Sequence, residues 1–299
     1  KRQTEYFQLM LRTYMDELRQ IRKMTNLYAT MGWKEKNTAF VLGNTLIRRD
    51  ANGVVNEEEI NLASTVQRQG AELYNIKGSA EEWSALTQIL EKGHLHAHMF
   101  VLGVGLSAPL YNFTGLKGLT VSLYGPTGGG KTLAQYWAQS IYGNPDKLHF
   151  AAKYTQNSLF SRLGTYANLP LTIDEVTMMN DKEVGDFCYW VSQGRDKARL
   201  NRNAEERDAK TWATPVIVST NKSLQSKLIA SGLDTDAQMA RLLEITVPAT
   251  PLFTRDTNVG KKIYESIHSH YGHAGRVYLK KLVEMGEEGI QSAIAEASS

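Results

Sequence analysis

Residues 125–132 (Gly125, Pro126, Thr127, Gly128, Gly129, Gly130, Lys131, Thr132) fit the pattern G-x-x-x-x-G-K-[ST]. Glycine lets the backbone wrap until successive N–H groups point inward at anionic oxygens. A helix starting at the end of the motif adds the positive end of its dipole. Lys131 would then reach the outer phosphates of a triphosphate, and the Thr132 hydroxyl is a ligand for Mg²⁺. The plain alternative is a chance glycine-rich turn. Against it stand the apolar stretch "LTVSLYG" (119–125) before the motif and the helical "LAQYWAQSIYG" (133–143) after it. ATP and Mg²⁺ are the cofactors expected.

The rest of such a site has to come from other strands. Asp174 and Glu175 close the apolar-biased "LPLTIDE" (169–175), on a strand expected to neighbour that of the glycine loop. Asp174 suits Mg²⁺, and Glu175 suits the group that orients and polarises an attacking water. "TPVIVSTN" ends at Asn221, a polar side chain at a strand tip that can hold that water or touch the terminal phosphate. Arg241 precedes the last expected strand and by itself reads as an ordinary surface arginine on a helix. Between the acids and Asn221, "SQGRDKARLNRNAEERDAKTW" (192–212) crowds Arg195, Lys197, Arg199 and Arg202 into eight residues. There they could grip a phosphate backbone regardless of sequence. Glu205, Glu206 and Asp208 partly offset them, so a solvated charged loop is the bland reading.

These residues need elements to hold them. Short apolar runs at 119–125, 148–152, 169–175, 214–220 and 242–248 alternate with helical segments and lack in-out alternation. That pattern predicts an α/β fold: a P-loop NTPase core with a five-stranded parallel sheet covered by helices on both faces. Upstream, Phe7, Met10, Leu11, Tyr14, Leu18, Ile21 and Met24 are spaced for one helix, its stripe buried in its own domain or in a neighbouring subunit. A small strand pair is expected around 38–55, helices over 79–92 and 96–111, and two more after residue 258. We therefore divide the chain into a mixed helical and small-β region (1–111), an ATPase-like core (112–250) and C-terminal helices (251–299).

Composition sets further bounds. The net charge of +3 makes no case for nucleic acid unless the basic residues are clustered. The longest apolar stretch, 99–110, is broken by Gly103, Gly105, Ser107 and Pro109, and a bilayer span needs about 20 residues, so no membrane association is expected. No secretion signal opens the chain, which starts at Lys1 and reads as a piece of something longer or a processed form. Cys188, the lone cysteine, fits a reducing compartment and reads as a core thiol. Neither His94, His96 and His98 nor His268, His270 and His273 come with a carboxylate or thiol to complete a metal shell.

The succession "GW…FVLG", "EEW", "APLY", the glycine loop, "LPLTIDE", "GRDKAR", "TW" and "VIVSTN" resembles a domain-of-unknown-function family of phage- and plasmid-encoded helicase-like ATPases over residues 31–248. More broadly it is similar to superfamily 3 and related AAA+ replicative helicases, including those joined to primases. The resemblance implies a hexameric ring that hydrolyses ATP and moves along single-stranded or forked DNA. It also implies a collar or docking role for the residues before the loop, and a bacterial cytoplasm as the setting. In its terms Asn221 stands at the first-sensor position, Arg241 is an arginine finger whose guanidinium enters the neighbouring subunit's site, and Arg255 is a candidate second sensor. The basic loop departs from it in lacking a Lys-His tip. Rival expectations are a P-loop ATPase that remodels or loads protein partners, and a nucleotide-switched assembly module.

Overall fold

The amphipathic spacing at the start of the chain forms α1 (Arg2–Ile21), on which Phe7, Met10, Leu11 and Tyr14 are exposed. The computed structural model describes residues 2–21, 28–62, 70, 72–151, 155–196, 199–200, 206–207, 209–230, 235–253 and 258–299. Met24, Lys197, Arg202 and Arg255 lie outside them. In place of one strand pair, four antiparallel strands follow: β1 (Gly32–Lys34), β2 (Ala39–Leu42), β3 (Thr45–Arg49) and β4 (Val55–Glu59), adjacent in chain order. The β3–β4 turn is set by Asp50, whose carboxylate accepts from the N–H groups of Asn52 and Val54 at 2.9 Å. Ser79 caps α2 (Ala80–Lys92) by accepting from Glu82 N. Helix α3 (His96–Ser107) ends just before Pro109, and a 3₁₀ turn and a one-turn helix carry the chain on to Thr114.

Five parallel strands make the core: β5 (Gly118–Tyr124), β6 (His149–Ala151), β7 (Leu171–Asp174), β10 (Thr214–Thr220) and β11 (Leu242–Thr246). Helices α4 (Lys131–Ser140), α5 (Gln156–Tyr166), α6 (Asp181–Gln193) and α7 (Leu224–Ala230) connect or cover them. This is the expected α/β P-loop architecture. All seven residues of β10 are buried, as befits a strand covered on both faces. The spatial order is β11-β5-β10-β7-β6. This order corrects one expectation: β7, with its acids, is not beside β5, because β10 lies between them. Hydropathy gives the order of strands along the chain, whereas the β5–α4–β6 crossover passes over two positions that are filled later.

Between α6 and β10 the chain folds back on itself as a ribbon. Trp212 N–H donates to Gly194 O, Arg195 bridges Thr211, and Asp196 N–H donates to Lys210 O. Strands β8 (Arg199–Leu200) and β9 (Glu206–Arg207) continue the same register. The C-terminal helices α8 (Val259–Ser269) and α9 (His273–Ser298, kinked at Gly286) return to the amino-terminal half. Glu57 of β4 receives Arg276 at 2.7 Å and Lys280 at 2.8 Å. Among the described residues no helix is long and apolar enough to cross a membrane. Cys188 is buried, which pushes its thiol up to about 11, while Trp83 and Trp212 are core side chains.

One buried amide joins the layers. Asn168 Oδ1 accepts from Trp33 N–H at 3.1 Å and its Nδ2 donates to Ala213 O at 3.1 Å, tying the small sheet to the entry of β10. Next to it Ala167 is held at φ 52°, ψ −73°, a sparsely populated conformation. Asn168→Ala leaves two buried backbone groups without partners. It should cost about 2–4 kcal/mol in denaturant unfolding, taking about 1–2 kcal/mol for each.

Candidate functional site

The glycine loop turns at the carboxyl ends of β5 and β10, where the strand order reverses and α/β sheets open a crevice. Geometry requires glycine most plainly at two positions in it. Gly125 has φ 155°, and a Cβ there would lie 2.1 Å from Val247 O. Gly130 has φ 80°, and its Cβ would lie 2.5 Å from Phe253 Cε2 and 2.8 Å from His98 Nε2. Helix α4 starts at the next residue, so its free N–H groups face the cleft. That cleft, about 480 Å³, is lined by Thr127, Gly128, Lys131, Thr132, Asp174, Glu175 and Asn221, with Ser219.

The residues singled out from the sequence converge there. Lys131 Nζ donates to the carbonyls of Gly125 (2.7 Å) and Pro126 (2.8 Å) and to Asn221 Oδ1 (2.9 Å). Burial lowers the Lys131 pKa from its ordinary value, while Glu175 and Asp174 pull the other way. Thr132 Oγ1 donates to Asp174 Oδ1 at 3.3 Å. A hydroxyl beside a carboxylate is a donor set for a hard cation such as Mg²⁺, which completes its shell with waters and phosphate oxygens. Among the described residues no group of three or more His, Cys, Asp or Glu side chains could hold a metal.

Two functional side chains escaped the sequence reading. Ser219 Oγ accepts from Glu175 N–H at 2.9 Å and donates to Asp174 Oδ1, so one hydroxyl fixes both acids. Glu175 is held at φ 55°, ψ 58° as the chain leaves β7. His149 Nε2 lies 3.7 Å from Asp174 Oδ2, an ion-pair distance rather than a hydrogen bond. Its Nδ1 pairs with Thr172 Oγ1 at 3.1 Å, and that oxygen accepts from Gln139 Nε2 at 3.2 Å. That contact fixes the ring and leaves Nε2 on the Asp174 side. His149, then the Ser219 and Thr132 hydroxyls, hold the Asp174 carboxyl down to about 2 against the opposing effect of burial. A serine inside an apolar strand run was the available signal for Ser219; His149 had none.

Beyond the acids, the cleft is walled by Tyr136, Phe253 and Tyr264, with Tyr136 and Tyr264 edge to face at 5.6 Å. Buried His98 packs against Phe253 at 5.3 Å, so it belongs to the back of the loop. Glu175 also borders a second, apolar cleft of about 630 Å³ that includes Leu159, Met178, Phe187 and Trp190. Arg241 is not brought to this chain's own cleft. It stands before β11, at the opposite end of the sheet, where its Nη1 donates to Ala237 O and its guanidinium faces the Tyr189 ring. Arg195 is exposed at the base of the ribbon, also at the end of the sheet away from the cleft. For Arg199 the structure gives the backbone position in β8.

The family model described as "Domain of unknown function (DUF927)" matches residues 2–211. No curated protein matches the chain. Among solved structures, the SCCmec type IV Cch active helicase is similar at 22% identity and a TM-score of 0.61, over 94% of this chain and 51% of that one. The present chain thus spans about half the length of that helicase, and the likeness is one of fold. The NrS-1 C-terminal region (17% identity, TM-score 0.35, 76% of this chain and 53% of that) and a JCV helicase complex (10%, 0.35, 73% and 69%) are also similar.

The low Asp174 value has a testable consequence. The folded carboxyl titrates below its ordinary 3.8, so its contribution to stability is complete above pH about 4 and is lost as pH falls toward 2. Asp174→Asn should flatten that segment of the acid-unfolding curve, read as the urea midpoint against pH.

Proposed function

The chain belongs to the DUF927 family, and from that premise we propose that it is an ATP-driven DNA helicase of the superfamily 3 and AAA+ kind, working as a hexameric ring in phage or plasmid replication. What carries the reading is the meeting in one cleft of Lys131, Thr132, Asp174, Glu175 and Asn221, drawn from three strand ends. The setting inferred from the resemblance is the cytoplasm of a bacterial host, with a primase fused or associated.

In this reading the loop amides from Gly125 to Thr132 hold the triphosphate and Lys131 neutralises its outer phosphates. Thr132 and Asp174 are the residues that would hold Mg²⁺, and bound Mg²⁺ supplies charge neutralisation between the phosphates. The ionised state of Asp174, secured by His149, Ser219 and Thr132, suits that task. Glu175 takes the proton of the attacking water, and Asn221 holds that water or the γ-phosphate in line. Arg241, turned away from its own cleft, serves the site of the next subunit, where a guanidinium stabilises the transferring phosphoryl group. The antiparallel pairing of Arg195 with Thr211 and of Arg199–Leu200 with Glu206–Arg207 supports a basic hairpin, and we assign Arg195, Lys197, Arg199 and Arg202 to gripping DNA by its phosphates.

The test is ATP turnover with and without single-stranded DNA, beside strand displacement from a fork and sizing with an ATP analogue. Turnover should rise with DNA; turnover indifferent to DNA favours a protein-remodelling ATPase instead. Lys131→Ala should remove turnover. Glu175→Gln should cut kcat by about 10²–10³ while sparing ATP binding. Arg241→Ala should cut it by about 10³, and mixing with Lys131→Ala subunits should restore part of the loss if Arg241 acts between subunits.

A further inference from the structure

Gln135 lies one helical turn beyond Lys131 on α4 and is fully buried. Its Nε2 donates to Ile173 O at 2.9 Å and to Ile217 O at 3.0 Å, so each amide hydrogen goes to a different strand. The first strand delivers Asp174 at the next residue. The second delivers Ser219 two residues on and leads to Asn221. Pairing between β7 and β10 ends at Ile173–Val218, and past it the ends of the two strands line the cleft. The side-chain amide thus bridges the two strands at the last rung of their ladder.

Packing alone gives no reason for an amide here. Ala134, Trp137 and Ala138, buried on the same helix, are apolar, and the buried Gln139 one turn on donates to Pro170 O and Thr172 Oγ1, away from the cleft. Gln135 Oε1 has no hydrogen-bond partner among the described residues, and a buried acceptor left unpaired is a cost that a methionine of similar length would not carry. What the amide supplies is alignment. It ties the helix that begins with Lys131 and Thr132 to both strands that must present groups to them.

We propose that Gln135 is a positioning residue: its two-strand hydrogen bonding sets the acid strand and the Asn221 strand against the phosphate loop, so that the Thr132–Asp174 and Lys131–Asn221 pairs form together. The role rests on the ATPase reading as far as turnover is concerned; the binding measurement below does not need hydrolysis.

Gln135→Met keeps the length, removes both donors and removes the unpaired acceptor. The unfolding temperature should fall by only a few degrees, because two strand carbonyls lose a donor while the unpaired acceptor goes with it. Affinity for a fluorescent ATP analogue without Mg²⁺ should stay within about twofold, while the tightening of that analogue by Mg²⁺ should fall about tenfold, the usual scale for losing an outer-shell partner of a metal ligand. Turnover should show a kcat about tenfold lower at nearly constant KM. In an Asn221→Ala background the further loss should shrink to about threefold or less, because part of what is aligned has already gone. Loss of stability and of Mg²⁺-free binding in step with activity would reduce Gln135 to a packing residue and overturn the proposal, as would an unchanged Mg²⁺ effect. A parent protein that binds the analogue more tightly with Mg²⁺ but never hydrolyses ATP would sink the ATPase reading, and the Mg²⁺ comparison would still decide the role of Gln135.

Discussion

From Leu133 to Ser140, every side chain of α4 except Tyr136 is buried; Gln135 places its amide hydrogens on β7 and β10, and Gln139 places its own on Thr172 of β7 and on Pro170 just before it. A helix enclosed in this way cannot roll or slide without opening a cavity or stranding polar groups, and close-packed interiors resist both. Its first residues, Lys131 and Thr132, are therefore delivered to one place relative to the strand ends. The phosphate loop takes its position from that anchorage, and from the contact of Gly125 with the Val247 carbonyl on the other side.

Once the helix is fixed, the acids are arranged by hydroxyls. Ser219 receives the Glu175 N–H and gives its hydrogen to Asp174, a double duty that only a group both donor and acceptor can perform. Thr132 approaches the same carboxylate from α4, and His149 from β6. Three elements thus hold one charge, and Glu175 leaves the strand in a left-handed conformation that a β-carbon makes costly, by roughly 1–2 kcal/mol. Strain of this kind persists where surrounding contacts over-determine it.

Much of this was legible in the amino-acid sequence because it is local. The glycine loop, the strand runs, the acid pair and Asn221 each announce themselves within about eight residues, since strand, turn and helix start follow from short-range chemistry. What stayed hidden depends on residues far apart in the chain. The insertion of β10 between β5 and β7 has no sequence signature. His149 and Gln135 look like a strand-start histidine and an ordinary helix glutamine until the fold sets Asp174 and Ile217 beside them. The small sheet has four strands where one pair is expected, because the β2–β3 turn at Gly43 and Asn44 falls inside a single apolar run and β1, "GWK", is three residues long. Arg241 shows the opposite case: the motif position is clear, and the geometry places the side chain where its own cleft cannot use it.

Strand β10 ends at the cleft with Ser219 and Thr220 and begins where the 194–212 ribbon closes on Gly194 and Trp212. It is laddered to β5 along all seven residues and to β7 over three, so it cannot piston lengthwise without breaking both seams. A displacement at the base of the ribbon would then have to carry the sheet with it. Gly194 and Trp212 at one end and Ser219 at the other are thus the two faces of a single rigid bar, with seven buried residues and no joint between them.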